Sequence, residues 1–161
     1  MKAAEPPALQ RLRFLSETVE LEAGHLAATD ARLFAERFNA ERAQRLRTDA
    51  DLAERVDAFV ARFGRLQDTL ADKLLPALLQ QLAEPLGSAL DNLGRAERLG
   101  FVASVDHWLE ARRLRNRMVH EYVRDPAELA AALTAGHGYV GLLVDTAATL
   151  RREVLQRFGD R

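Results

Sequence analysis

The chain has 161 residues, of which 48% are hydrophobic and none is cysteine, so disulfides, thiolate nucleophiles and cysteine-ligated metals are excluded. Its 23 basic and 24 acidic side chains nearly cancel, so bulk charge gives no argument for nucleic-acid binding. The first residues lack the apolar core of a signal peptide, and no stretch looks apolar for long enough to span a bilayer, so we expect a cytoplasmic protein.

The first half of the chain reads as two long helices. After Pro6-Pro7, apolar residues recur at helical spacing as far as Leu33. Residues 38–47 are less regular and read as a connection. Thr48-Asp49-Ala50-Asp51 has the form of a capping box, with an acid three residues after a hydroxyl. It precedes the most periodic run of the chain, which predicts a long amphipathic helix with a kink at Pro76.

The second half predicts three further helices. A short one spans about Ala89–Arg98 and stops at Gly100, and Ser104 can cap the next, which runs from Val105 to about Val123. The sequence Asp125-Pro126-Ala127-Glu128 is a strong start signal for a last helix that extends to about Phe158. We therefore expect an all-α protein, a four- to five-helix bundle that forms a single domain over residues 1–161.

The helix that begins at Val105 carries the residues with chemical potential. One stripe on it has members spaced by three and four: Trp108, Ala111, Arg115, Met118 and Tyr122. An arginine in such a core-type stripe is unfavourable unless its guanidinium finds partners. Asn116 and His120 are four residues apart and lie on an adjacent face. One helix end thus gathers a guanidinium, an amide, an imidazole and a phenol.

This segment resembles a known family. The order Arg115-Asn116, three residues, His120, one residue, Tyr122 is similar to the signature of HEPN domains of the HepT kind, helical toxins encoded beside a minimal nucleotidyltransferase antitoxin. The stretch from Arg62 to Asp68, on a long helix before a short helix and the motif helix, extends the resemblance over most of the chain. The resemblance implies an up-and-down HEPN-like bundle that acts as a homodimer with two motifs across a cleft. It also implies an MntA-like antitoxin that transfers AMP to Tyr122.

The residues suit cleavage of RNA without a metal or another cofactor. Histidine titrates nearest neutral pH, so His120 suits proton transfer. Arg115 can hold two phosphate oxygens as a fork and offset the charge that grows on them. Asn116 can orient the imidazole or the phosphate. The residues therefore predict an endoribonuclease with Arg115, Asn116 and His120 as the catalytic residues, and the resemblance implies that it acts as a toxin.

Arginines around the motif predict contacts to RNA phosphates, with Arg112 and Arg117 as the candidates. The alternative is a solvated arginine face paired with neighbouring acids. On the preceding long helix, Arg65 and Asp68 could face the motif or form ordinary surface ion pairs. At the level of function, the alternatives are a non-catalytic partner subunit of a minimal nucleotidyltransferase and a plain helical dimerisation protein.

Two further signals are set aside. Residues 136–141 match G-x-G-x-x-G literally, but no strand precedes them, so the glycines are better explained by close approach of two helices. His25, His107 and His137 do not form a metal-ligand pair at i, i+4, so we expect no zinc site.

Overall fold

The computed structural model describes residues 4–120 and 125–159, with the side chain of His120 excepted. In these ranges every regular element is helical and no strand occurs, which confirms the predicted all-α fold. The elements in chain order are α1 (Pro7–Leu33), α2 (Ala40–Gln44), a 3₁₀ helix (Arg45–Arg47), α3 (Ala50–Asp68), a π-helical segment (Thr69–Leu74), α4 (Leu75–Gln81), α5 (Ala89–Arg98), α6 (Val105–His120) and α7 (Pro126–Phe158). Because α3, the π-helical segment and α4 follow one another without a gap, the described residues fold as five main helices and the short α2.

Short polar signals in the sequence determine where several helices begin. At the start of α5, the Ser88 hydroxyl accepts a hydrogen bond from the Asp91 N–H and the Asp91 carboxylate accepts one from the Ser88 N–H, both at 3.1 Å. At the start of α7, Asp125 Oδ1 accepts from the Ala127 N–H at 2.9 Å. The predicted bounds of α5 and α7 are therefore confirmed. Tyr122 and the end of the predicted motif helix lie outside the described residues.

The start of α3 differs from the predicted capping box. Asp49, and not Thr48, is the N-cap residue, and its carboxylate accepts from the Leu52 N–H at 3.0 Å. Thr48 instead closes the 3₁₀ helix through a bond from its N–H to the Arg45 carbonyl at 3.1 Å. The helix accordingly begins one residue later than the box requires. The kink at Pro76 stays a prediction; the structure has a π-helical segment that ends two residues before this proline.

The connection predicted over residues 38–47 is in fact ordered as α2 and the 3₁₀ helix. Asn39 caps α2, and Arg42 is buried at 6% exposure. Its guanidinium donates to the carbonyl oxygens of Leu33 and Glu36, where α1 ends. Burial lowers the pKa of Arg42. A buried cation thus satisfies the carbonyls at the C-terminal end of α1, a position that a helix dipole also favours.

The buried apolar side chains form one cluster between α1, α3 and α7, with α6 closing one side. Phe59 and Phe63 of α3 are completely buried there, and each such side chain stabilises the fold by roughly 1.5–3 kcal/mol. On α6, the buried side chains are Trp108, Ala111, Leu114 and Met118. This packing fixes which face of α6 remains open to solvent.

Helix α7 is long and apolar enough, by length and composition, to cross a bilayer, which contradicts the expectation that no stretch is. The cause is an Ala- and Gly-rich run with few charges between Leu129 and Ala148. In its most apolar 18-residue window, 39% of the helix is buried inside the fold. Core helices of soluble proteins have the same length and composition, so this property alone assigns no membrane role.

Candidate functional site

The stripe predicted on α6 is present, and Arg115 is its exceptional member. Trp108, Ala111 and Met118 are at most 3% exposed, as core positions are. The Arg115 side chain, in the same stripe, remains 33% exposed. The site therefore begins where the apolar face of α6 reaches the surface. The fifth predicted member, Tyr122, lies outside the described residues.

Two residues of α3 hold the Arg115 guanidinium in place. Its Nη1 donates a charge-assisted hydrogen bond to Asp68 Oδ1. One turn earlier on the same face of α3, Gly64 leaves room for the side chain, because a β-carbon there would lie 2.7 Å from Arg115 Nε. Asp68 supplies the opposite charge that a partly buried guanidinium requires, and Gly64 supplies the space. The interaction fixes the direction of the guanidinium rather than leaving it free in solvent.

Arg115 also lines a groove of about 420 Å³ between α3 and α6. Its lining is mostly apolar, and the contributing residues are Asp57, Val60, Ala61, Gly64, Arg115, Met118 and Val119. Val119, at 57% exposure, forms the outer edge on α6. A guanidinium beside an apolar groove can bind an anionic group while the groove accepts a flat or apolar part of the same ligand.

The remaining predicted catalytic residues are only partly placed. Asn116 is exposed on α6, one residue after Arg115. His120 is the last residue of α6, and its side chain lies outside the described part of the structure. The i, i+4 relation between Asn116 and His120 on one helix follows from the bounds of α6. The contact of the imidazole with the guanidinium or the amide stays a prediction.

The two arginines predicted to contact RNA phosphates, Arg112 and Arg117, differ from each other. Arg112 is paired with Asp72 of the π-helical segment at 3.4 Å. Arg113 pairs with Glu110 on the same helix at 3.0 Å. Arg117 is exposed and forms no ion pair with any described carboxylate. The acid-paired alternative thus accounts for Arg112, as it does for the neighbouring Arg113. Among the described residues, Arg117 has no ion pair that a phosphate would have to break.

Among the described residues, Asp68 pairs with a motif residue, Arg115, and Arg65 does not. Arg65 lies near Glu22 of α1, where its charge opposes the effect of burial and favours the ionised carboxylate. Gly64 was not singled out from the sequence. A glycine and an acid four residues apart in a helix facing a lone core arginine would have been the signal, but only after the facing of the two helices was known.

Two residues from the sequence patterns that were set aside, Gly136 and His137, make packing contacts in the structure. Gly136, within α7, faces α6, since a β-carbon there would lie 3.0 Å from Met118 Sδ, whereas Gly138 and Gly141 have open space. Only the first glycine therefore serves the predicted close approach. His137 Nδ1 lies 2.6 Å from Asp30 Oδ1, and its ring stacks on Phe34 at 4.3 Å. In the described part of the chain, no three His, Asp or Glu side chains are grouped so that they could hold a metal ion.

Comparison of the chain with protein-family models, with curated proteins and with solved structures finds no match. The resemblance to HEPN domains therefore stays a prediction from the sequence, based on Arg115, Asn116, His120 and Tyr122 and on residues 62–68.

Proposed function

We propose that the chain is the toxin of a HEPN/MNT toxin–antitoxin pair and cleaves RNA without a metal. In this proposal Arg115 binds the scissile phosphate and offsets its growing negative charge. His120 exchanges the proton of the attacking 2′-hydroxyl or of the leaving oxygen. Asn116 orients one of these groups, and Arg117 contacts a neighbouring phosphate.

The observation that carries the proposal is that Arg115 is held in place and is still partly exposed. It is held by Asp68 and Gly64 of α3, yet one third of its side chain is open to solvent beside a groove. A guanidinium has five N–H donors, and the hydrogen bond of Nη1 to Asp68 leaves others for a ligand. A purely structural arginine has no need of an open groove. The same helix carries His120 five residues further on.

The proposal includes two partners. One chain supplies one motif, so we propose a homodimer in which two motifs face a shared cleft. We further propose that an MntA-like minimal nucleotidyltransferase inactivates the toxin by adenylylating Tyr122, because an added phosphate and nucleotide would repel and block an RNA phosphate.

The proposal is tested by incubating the purified protein with single-stranded and structured RNA in EDTA and measuring cleavage. We expect activity in the wild type and a loss of about 100-fold or more in His120→Ala and in Arg115→Met. Arg113→Gln is the matched control, because Arg113 is on the same helix but is exposed and paired with Glu110. It should keep nearly full activity.

An inert wild-type protein, or a His120→Ala variant as active as the wild type, would rule out catalysis at this site. Binding of a minimal nucleotidyltransferase encoded beside this chain, without any cleavage of RNA, would instead favour the partner-subunit alternative. Intact mass after co-expression with that protein tests the regulation separately: a gain of AMP that disappears in Tyr122→Phe is the expected result.

A further inference from the structure

A second groove lies on another flank of α3, between this helix and α1. It has a volume of about 440 Å³, and its lining is polar: Thr29, Arg32, Asp51, Glu54, Arg55, Ala58 and Arg62. This volume is within the range of roughly 300–1,000 Å³ that small-molecule sites occupy. None of these residues contributes to the Arg115 groove, whose α3 residues face α6 instead.

Arg62 is directed by neutral groups in this second groove. Its Nη1 donates to the hydroxyl of Thr29, which is buried, and to the carbonyl oxygen of His25 at 3.3 Å. Both acceptors orient the guanidinium, but neither removes its charge. A half-buried cation without a counter-charge is unfavourable, and an anionic ligand would stabilise it.

Arg32 and Arg55 add two further cations to the same groove. Within the described residues, none of the three arginines forms an ion pair, although Asp51 and Glu54 also line the groove. Several arginines elsewhere in the fold do have a counter-charge, since Arg95, Arg112 and Arg151 each pair with a carboxylate. With three arginines and two carboxylates, the groove has an excess of one positive charge. The carboxylates can accept hydrogen bonds from hydroxyl groups of a ligand.

We infer that the groove between α1 and α3 is a phosphate-binding site formed by Arg32, Arg55 and Arg62. Its ligand is a phosphate group attached to a hydroxyl-bearing unit, as in a ribonucleotide, with Asp51 and Glu54 positioned for the hydroxyls. The phosphate can belong to an RNA strand or to a free polyphosphate. The inference does not rest on the proposed cleavage of RNA, because it concerns different residues on a different flank of α3.

Binding is measured in the His120→Ala background, so that cleavage cannot interfere. The probes are a fluorescein-labelled RNA 12-mer with free 2′-hydroxyls, followed by anisotropy, and sodium pyrophosphate, followed by calorimetry. The groove variant is Arg32→Gln/Arg55→Gln. The matched control is Arg11→Gln/Arg98→Gln, which removes the same charge from two exposed arginines on α1 and α5 that do not line the groove.

We expect the groove variant to bind at least about tenfold more weakly than the control, since two charge-assisted contacts are lost. For the RNA probe, the slope of log affinity against log salt should fall by about 0.7 per lost contact. Weakening for both probes assigns the site to free phosphate groups, and weakening for RNA alone assigns it to the strand. Arg32→Gln alone should weaken binding about threefold. Because Arg32 is exposed, this variant should fold normally, and it therefore controls for misfolding of the double variant.

Equal affinities of the groove variant and the control for both probes would overturn the inference, as would a parent protein that binds neither probe. Failure of the proposed function has a separate signature, because the wild type would then leave RNA intact whatever the binding results are.

Discussion

In α3, Gly64 lies directly against the guanidinium of Arg115 in α6, and a β-carbon at residue 64 would lie 2.7 Å from Arg115 Nε. Asp68, one turn further along α3, binds the same guanidinium. The position of the arginine is thus set by the absence of a side chain at one residue and by the charge at another. Each contribution can be removed alone, and the consequences should differ.

Gly64→Ala should displace Arg115 with only a modest effect on stability. Alanine favours a helix over glycine by about 1 kcal/mol, whereas overpacking costs about 1–3 kcal/mol, so we expect a loss below about 2 kcal/mol. If the proposed function holds, cleavage of RNA should fall about tenfold or more, because a shift of one ångström at a binding group has effects of this size. Urea unfolding and cleavage rates measure the two effects.

The control for this substitution is Gly24→Ala. Gly24 is also interior to a helix, α1, but a β-carbon there meets no atom within 4 Å. We expect it to stabilise the protein by up to about 1 kcal/mol and to leave cleavage unchanged. Equal activities of the two alanine variants would mean that the place of Arg115 over Gly64 does not matter for function.

Asp68→Asn removes the charge that pairs with Arg115 and keeps the shape of the side chain. Because the Arg115 and Asp68 side chains are 33% and 39% exposed, water replaces part of the lost interaction, and we expect a destabilisation of about 1 kcal/mol or less. Asp72→Asn is the matched control, since Asp72 pairs with Arg112 at 3.4 Å on the open surface. Its effect should stay within about 0.5 kcal/mol.

The two variants also separate positioning from binding of phosphate. With Asn at residue 68, Arg115 loses its charged partner. If the proposed function holds, kcat for RNA should therefore fall more than KM rises, whereas Asp72→Asn should change neither. A normal kcat in Asp68→Asn would show that the ion pair only stabilises the fold.

The sequence predicted the elements whose signals are local. The helix starts at residues 89 and 126 were predictable because Ser88 and Asp125 cap them through bonds that span three residues or fewer. The buried stripe of α6 was predictable because apolar spacing reports the buried face directly. The place of α2 was missed, because its stability depends on Arg42 reaching back to the carbonyl of Leu33, nine residues earlier.

Of the candidate site, only the motif on α6 could be predicted from the sequence. The chain segment with Arg115 could be found from residue types alone, but its partner Asp68 is 47 residues away, and the pairing depends on how α3 and α6 are turned toward each other. The same holds for the second groove, where Arg62 reaches Thr29 across 33 residues. Such contacts follow from packing, which a single sequence does not reveal.

Gly136→Ala tests the close approach of α7 to α6. A β-carbon at residue 136 would lie 3.0 Å from Met118 Sδ and 3.6 Å from Phe59, so the flexible methionine must move. We expect a net destabilisation of about 1 kcal/mol after the gain in helix propensity. Gly141→Ala, where space is open, should stabilise by up to about 1 kcal/mol. If both variants change the urea midpoint in the same direction, the packing at Gly136 is not the cause.

Glu22 gives the fold a pH dependence that can be measured. Burial raises the pKa of Glu22, although the hydrogen bond from the Thr69 hydroxyl at 3.1 Å and the charges of Arg65 and Lys73 oppose this effect. Its Oε2 is buried and has no hydrogen-bond partner among the described residues. The carboxylate therefore fits its surroundings better when it is protonated.

Because the folded state holds this proton more tightly than the unfolded chain, the contribution of Glu22 to stability is complete below the unfolded pKa and is lost as the pH rises through the folded pKa. Glu22→Gln keeps the acceptor for Thr69 and removes the charge. We expect this variant to be more stable than the wild type at pH 7, by less than about 1 kcal/mol because the residue is only half-buried, and equally stable near pH 4. Urea unfolding of both proteins between pH 4 and 8 measures the difference. A variant less stable at pH 7 would mean that the attraction of Arg65 and Lys73 outweighs the burial of the carboxylate.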